Sequence, residues 1–89
     1  MKYYLTKEEM DNLEALAEKA MSAYNKKDAK IYILQMNVVI SDVIGPSRNI
    51  LSEMISAVDN ATGNIHDKTR NMEFADQQMS KARMFCVEK

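Results

Sequence analysis

The chain has 89 residues, a formal net charge of −1, two glycines, one proline, one cysteine and eight methionines. So short a chain forms one small domain that buries only roughly 60–65% of its unfolded surface, and a partner or a second copy commonly supplies further burial. The near-neutral charge argues against a general binder of duplex nucleic acid. The single cysteine, Cys86, excludes an internal disulfide and fits a reducing cytoplasm.

The sequence also predicts no signal peptide and no membrane partner. No charged segment is followed by an apolar segment of the kind that directs secretion. The apolar runs, such as residues 38–40, are far too short to span a bilayer.

The first predicted helix covers approximately residues 6–25. Thr6 and Glu9 stand at the spacing of a capping box, in which each residue satisfies a free amide of the other. Apolar residues then recur at steps of three and four, as on the buried face of an amphipathic helix. They are Met10, Leu13, Leu16, Ala17, Ala20, Met21 and Tyr24.

Residues 29–44 predict a second helix that is buried on most sides, with Asp28 as its N-cap. The density of β-branched residues also suggests a strand. However, strict alternation fails at Leu34 and again at Val39, and a helical period fits better. One helical face would carry Ile33, Met36, Ile40, Val43 and Ile44, with Leu34 and Val38 beside it.

Gly45-Pro46 interrupts the chain and predicts a third helix over residues 47–62. Its apolar face is formed by Ile50, Leu51, Met54, Ile55 and Val58. The segment at 60–64, "NATGN", is expected to end this helix, although the apolar phase continues through Ala61 and Ile65 and leaves one long bent helix possible.

Asp67 is the expected N-cap of a final helix over residues 67–87. Its apolar face carries Met72, Ala75, Met79, Ala82 and Cys86, with Phe74 and Phe85 to the side. The whole pattern predicts a single all-α domain, a hairpin or small bundle of three to four helices over residues 1–89.

Catalytic chemistry has little support in the sequence. The single His66 has no cysteine or second histidine at metal-ligand spacing, and no glycine-rich phosphate loop is present. Glu8, Glu9 and Glu18 are expected on a helix surface rather than in a cleft. Cys86 has no basic neighbour that would activate it, so it is expected to pack as a small apolar residue. We therefore expect no enzyme activity, no metal and no cofactor.

Arg70 is the strongest candidate for anion binding. If Asp67 caps the final helix, Arg70 lies in its first turn, beside free backbone amides and the positive end of the helix dipole. A guanidinium there can bind a phosphate or carboxylate through two hydrogen bonds. The alternative is a surface arginine paired with Glu73 or Glu53.

The C-terminal segment "TRNMEFADQQMSKARMFCVEK" resembles the last helix of the hairpin domain of phage anti-defence sponges. In that pattern an arginine opens the helix, two alanines follow, and a methionine-aromatic pair and a valine end it. The matching positions are Arg70, Ala75, Ala82, Met84, Phe85 and Val87. The sequence departs from the pattern at Phe85, where the family usually has tryptophan, and at Gln77, where it commonly has threonine. The match covers about a quarter of the chain.

The N-terminal segment resembles the same family, whose members open with a tyrosine, a short helix start and a lysine near the end of the first helix. This chain has Tyr3, Tyr4, Leu5, Thr6, Glu8, Glu9 and Lys19. By resemblance, Tyr4 stacks on a base and Lys19 contacts a phosphate in a dinucleotide pocket, with Tyr3 as the neighbouring candidate. Arg70 is placed at a separate trinucleotide pocket. Tyr24 and Tyr32 could also stack, but their helical phase favours packing in a core or interface.

The resemblance implies a homohexamer that sequesters cyclic di- and trinucleotides, of the cGAMP and cyclic tri-adenylate kinds, in the host bacterial cytoplasm. Such a protein blocks activation of CBASS effectors without cleaving the messenger. The alternative is a helical interaction module, an inhibitor or antitoxin, that docks through a Met-rich apolar face.

Overall fold

The computed structural model describes residues 1–63 and 68–89, and these residues form four helices and no strands. The helices are α1 (Lys7–Ser22), α2 (Lys26–Val39), α3 (Pro46–Asn60) and α4 (Lys68–Phe85). α1 packs mainly against α2, and α3 packs mainly against α4, so two helical hairpins share one core. The all-α prediction is confirmed.

The capping box predicted at the start of α1 is present. Thr6 Oγ1 accepts a hydrogen bond from Glu9 N at 3.1 Å, and Thr6 N donates to Glu9 Oε1 at 2.8 Å. Leu5 and Met10 flank the box at the spacing of a hydrophobic staple, and both are fully buried. The staple position therefore belongs to Leu5, not to the tyrosines before it.

α1 ends three residues earlier than predicted. Ala23 is extended, with ψ at 145°, so the helix stops at Ser22. Tyr24 then lies in the connector and is 93% exposed, which makes its expected place on the buried face wrong. Tyr32 is partly buried against the core, as its helical phase indicates.

The predicted N-cap of α2 is wrong. Asn25, not Asp28, caps the helix, and the Asn25 side chain accepts a hydrogen bond from Asp28 N at 2.8 Å. Asp28 therefore lies in the first turn, where its negative charge interacts favourably with the positive end of the helix dipole.

α2 also ends five residues earlier than predicted, because the residues after Val39 form a turn held from two sides. The Arg48 guanidinium donates to the carbonyl oxygens of Ile40 at 3.0 Å and of Val43 at 3.3 Å. The Ile44 amide donates instead to Lys2 O at 2.8 Å. These contacts replace the intrahelical bonds that would have continued the helix.

The expectation that α2 is buried on most sides is wrong for the single chain. Ala29, Ile33 and Met36 are buried. On the opposite side, Ile31, Leu34 and Val38 are exposed by 55%, 57% and 71%.

α3 begins where the Gly45-Pro46 break predicts, with Gly45 at the N-cap position and Pro46 as the first helical residue. It ends at Asn60, with Ala61 as the C-cap and Gly63 in the left-handed region at φ 80°. α3 and α4 are therefore two helices packed together rather than one long bent helix. Ile65, His66 and Asp67 lie outside the described residues. The predicted N-cap at Asp67 and the predicted apolar phase at Ile65 therefore stay predictions.

The core combines the apolar faces predicted for α1, α3 and α4 with one face of α2. Five of its residues are methionines, and none of these is more than 8% exposed: Met10, Met21, Met36, Met54 and Met79. Within residues 1–63 and 68–89, no helix is both long enough and apolar enough to cross a lipid bilayer.

Candidate functional site

Three aromatic side chains lie together at one end of the molecule. Tyr3, Tyr4 and Phe85 are 60%, 50% and 56% exposed, and we call them the aromatic edge. Tyr4 and Phe85 both line a cleft of about 650 Å³, whose other walls are Met84, Val87, Glu88 and Lys89. The same two rings, with Tyr3, line a smaller adjoining cleft of about 260 Å³. Flat apolar surface and a cation, Lys89, therefore occur side by side.

The backbone on both sides of the aromatic edge is fixed by hydrogen bonds between distant segments. Leu5 N donates to Cys86 O at 2.7 Å, and Glu88 N donates to Leu5 O at 2.8 Å. A second parallel bridge joins Lys2 to Val43. Because Leu5 and Cys86 are fully buried, the exposed rings between and beside these bridges stand on a rigid base.

An ion pair secures the N-terminal segment further. Lys2 Nζ donates to Glu9 Oε1 at 2.6 Å, and this oxygen also accepts the Thr6 amide of the capping box. The hydrogen bond from Lys2 lowers the pKa of the Glu9 carboxyl, with help from Thr6, and the same bond raises the pKa of Lys2. Both charged forms are thus favoured in the folded chain, which holds residues 2–6 against α1.

Gly45 lets the loop before α3 pass close to the aromatic edge. Its φ of 78° and ψ of −160° belong to a region that residues other than glycine almost never adopt. A Cβ added at this position would lie 3.1 Å from Cδ1 of Tyr3. The Tyr3 ring therefore rests against backbone that only glycine leaves open.

Lys19 lies in a different cleft from Tyr3 and Tyr4. It lines a space of about 390 Å³ with Ser22, Ala23, Asp28, Ile31 and Tyr32, where α1 turns into α2. At 1.5 Å per helical residue, Lys19 is about 18 Å along α1 from Lys7, the residue at the tyrosine end. A single copy of the chain therefore does not bring Tyr4 and Lys19 together, and the aromatic ring beside Lys19 is Tyr32.

Arg70 lies in the first turn of α4 and is exposed. Phe85 is the last residue of the same helix, about 22 Å away along its axis. Within the described residues, Arg70 forms no salt bridge with Glu73 or Glu53, the partners that the surface-arginine alternative requires. Its guanidinium thus stands apart from the aromatic edge.

Sequence reasoning missed the contacts of two residues near the end of α4. The sequence places Phe85 beside the apolar face of the last helix and in the methionine-aromatic pair, with no ligand role, yet it forms a wall of both clefts beside Tyr4. Arg83 joins α4 to α1, with Nε 2.8 Å from Glu14 Oε1 and Nη2 2.5 Å from Asp11 Oδ1. A local pattern carries no signal for Arg83, because its partners lie at the other end of the chain.

Nucleophilic chemistry has no support at the one cysteine. Cys86 is fully buried, and burial raises the pKa of its thiol. Its Sγ contacts Ser47 O at 3.7 Å. The residue therefore packs as the sequence predicts. Across residues 1–63 and 68–89, no three metal-ligating side chains lie close enough to share an ion.

Fold and clefts define a small all-helical domain with exposed aromatic rings at one end and exposed cations along its helices. Comparison with models of protein families, with characterised proteins and with solved structures finds no significant match to this chain.

Proposed function

We propose that this protein is a phage anti-defence sponge that binds cyclic di- and trinucleotide messengers and holds them away from their CBASS effectors. The observation that carries the proposal is the aromatic edge: three exposed rings beside two adjoining clefts, carried on backbone that hydrogen bonds between distant segments hold in place. The resemblance of the first and last helices to the sponge family supports it independently.

A fixed ring is suited to a nucleobase because stacking requires an open aromatic face. Stacking on an aromatic side chain contributes about 1–3 kcal/mol per base. A ring that is already ordered loses less conformational entropy on binding than a mobile one.

The cations needed for the phosphates are Lys19 and Arg70 by resemblance. Both are exposed, and each lies far from Tyr4 in the same copy. A dinucleotide pocket that combines Tyr4 with Lys19 therefore needs a second copy of the chain. We accordingly propose a homo-oligomer, a hexamer by resemblance, with Arg70 at a separate trinucleotide pocket, acting in the host bacterial cytoplasm.

Sequestration requires only reversible binding. The free messenger falls when sites outnumber it and the dissociation constant lies below the concentration that activates the effector. No bond is broken, so the protein is not an enzyme in this proposal, and it needs neither a metal nor a cofactor.

The alternative of a docking module with a Met-rich face has less support. Five methionines fill the core, and Met72 is only partly buried against it. Met84 is exposed, but it lies in the cleft of the aromatic edge. The described residues therefore present no Met-rich surface for a partner.

Titration calorimetry against cyclic dinucleotides, cyclic trinucleotides and a linear dinucleotide tests the function. We expect heat of binding for cyclic ligands only, with a stoichiometry per chain that counts the pockets. Denaturing the complex and chromatographing the nucleotide should return the cyclic compound intact. A linear product would show that the protein is a hydrolase, and the absence of binding across the panel would overturn the proposal.

Substitutions assign the two pockets. We expect Tyr4→Ala to weaken dinucleotide binding about 5- to 150-fold, since one stacked base is lost, and Lys19→Gln to weaken it through the lost phosphate contact. Arg70→Ala should remove trinucleotide binding only. Lys81→Ala, on an exposed face of α4, is the matched control and should leave both ligands unaffected. Equal loss of both ligands in Arg70→Ala would contradict two separate pockets.

A further inference from the structure

The outer face of α2 is apolar and uncovered. Ile31, Leu34 and Val38 follow one another at steps of three and four residues, and each is more than half exposed. At 3.6 residues per turn they form one stripe, on the side of the helix opposite the buried Ala29 and Met36. α2 thus has two apolar faces, and the fold covers one of them. We call the exposed one the α2 stripe.

Charged residues of opposite sign stand at the two ends of the α2 stripe. Lys27, in the first turn of α2, continues the line of the stripe toward the connector from α1. Asp42 follows the other end, in the turn after the helix, and its side chain is 54% exposed. Within the described residues Lys27 forms no ion pair, and Asp42 is only within 3.9 Å of Lys2 Nζ. The stripe therefore runs from an unpaired cation to a weakly paired anion.

The α2 stripe and its charges are self-complementary when two copies of α2 pack antiparallel, and not when they pack parallel. When two copies of α2 pack antiparallel about a two-fold axis beside Leu34, Ile31 of one copy lies level with Val38 of the other. The same pairing brings Lys27, in the first turn of one copy's α2, to the end of the other copy's α2, where the turn that carries Asp42 follows Val39. A parallel pairing would instead place Lys27 against Lys27 and Asp42 against Asp42. Two independent patterns, apolar and charged, therefore favour the same antiparallel pairing.

The helix dipoles favour the same direction. A lysine in the first turn is poorly placed with respect to the positive end of its own helix. In the antiparallel pair, Lys27 lies beside the negative end of the other copy's α2, and the two dipoles oppose each other. A self-complementary patch of this kind is what a two-fold interface between identical chains requires.

We propose that the α2 stripe is an interface between two copies of this chain, packed antiparallel with Leu34 at the two-fold axis and Lys27 of each copy near the turn that carries Asp42 of the other. The inference stands on the stripe and its charges and does not depend on the proposed ligand. It also accounts for the apolar density of residues 29–44, which exceeds what one covered face needs.

Sedimentation across a range of protein concentrations tests the interface. Wild-type protein should associate, and Leu34→Glu should reduce the assembly by losing this contact while its circular dichroism stays helical. Phe74→Glu is the matched control, since Phe74 is 51% exposed and lies on α4; it should sediment as wild type does. A wild-type protein that is monomeric, or an unchanged assembly in Leu34→Glu, would overturn the proposal.

Disulfide trapping tests the direction. A disulfide needs Cα atoms within about 7 Å. In the antiparallel pair the two copies of residue 31 are offset by about 10 Å along the helices, whereas residue 31 lies level with residue 38. Ile31→Cys and Val38→Cys should therefore cross-link when mixed and not when oxidised alone. Cross-linking of each variant with itself would establish a parallel pairing and contradict the charge argument. The buried Cys86 is present in every sample, so wild type serves as the background control.

Ligand binding separates the two proposals. If the calorimetric panel shows no nucleotide binding while Leu34→Glu dissociates the assembly, the proposed function fails and the interface stands. If nucleotides bind but Leu34→Glu leaves the assembly intact, the interface fails and the function stands.

Discussion

Glu9 shows how one side chain can serve several local contacts. Its carboxylate accepts the Thr6 amide and the Lys2 ammonium, so it joins the helix cap to the segment that carries the tyrosines. The cap belongs to a motif readable in the sequence, whereas the lysine seven residues earlier does not. The ion pair forms because the N-terminal segment folds back across the start of α1, which no local sequence pattern indicates.

Removing the Glu9 charge should make stability less dependent on pH. The folded pKa of Glu9 is lowered, so its contribution is complete above the ordinary glutamate value of about 4.3 and is lost as pH falls through the folded value. We expect Glu9→Gln to cost about 0.5–1 kcal/mol at pH 7. Urea denaturation should show that the difference from wild type shrinks at pH 3.

The control for this prediction is Glu8→Gln, which removes the same charge from the same helical turn without the Lys2 contact. It should change the free energy of unfolding by less than Glu9→Gln does. A loss for Glu9→Gln that is equally large at pH 7 and pH 3 would show that the ion pair is not its cause. The raised pKa of Lys2 implies a second boundary, because its contribution is lost as pH rises above the ordinary lysine value of about 10.4.

Among the elements, the connector between α2 and α3 has the most exacting conformation. Arg48 binds carbonyl oxygens of Ile40 and Val43 from the first turn of α3, and Gly45 adopts backbone angles that suit glycine alone. Within the connector, Asp42 O accepts a hydrogen bond from Lys2 N, and Ile44 N donates one to Lys2 O. Its shape therefore determines where Tyr3 lies.

Gly45→Ala should strain this connector. The substitution forces alanine into a region of φ and ψ that costs about 1–3 kcal/mol, and its Cβ would press on the Tyr3 ring. Chemical denaturation should show a loss in that range. Asn49→Ala, at an exposed position early in α3, should change stability by less than about 0.5 kcal/mol. A Gly45→Ala protein as stable as wild type would mean that the loop relaxes to another conformation.

Local signals predicted much of each element, and long-range contacts explain the errors. The capping box at Thr6 and the break at Gly45-Pro46 are confirmed, because each depends on a few consecutive residues. The predicted end of α2 is wrong because Arg48 binds the carbonyl oxygen of Ile40 and Lys2 O accepts the amide of Ile44. Neither group is then available to continue the helix. The periodicity of α2 identified apolar residues, but period alone does not reveal which of two apolar faces is covered.

The molecule as a whole is held together by contacts between its two helical hairpins. Lys26, at the start of α2 in the first hairpin, donates to Thr62 Oγ1 at 2.7 Å and pairs with Asp59 at 3.1 Å. Asp59 and Thr62 lie at the end of α3 and just after it, in the second hairpin. Arg83 makes the corresponding link from α4 to Asp11 and Glu14 of α1. Each link joins residues far apart in sequence, which is why neither was predicted.

Arg83→Met should weaken the packing of α4 on α1. Methionine keeps much of the apolar stem but removes the guanidinium, and we expect a loss of about 1 kcal/mol at low salt. A double-mutant cycle with Glu14→Gln should give a coupling energy that decreases as salt is raised. Lys81→Met, exposed on the same helix, should show no coupling to Glu14→Gln. Additive effects of Arg83→Met and Glu14→Gln would indicate that the pair contributes no stability.

The parallel bridge between Leu5 and Val87 has a consequence for how the aromatic cleft arises. Its hydrogen bonds join two segments that are far apart in sequence, and such distant contacts form slowly and late in folding. A chain still emerging from the ribosome has Tyr3 and Tyr4 but no Phe85 wall to face them. Binding in this cleft therefore requires that Phe85 has been synthesised and that the two segments have paired.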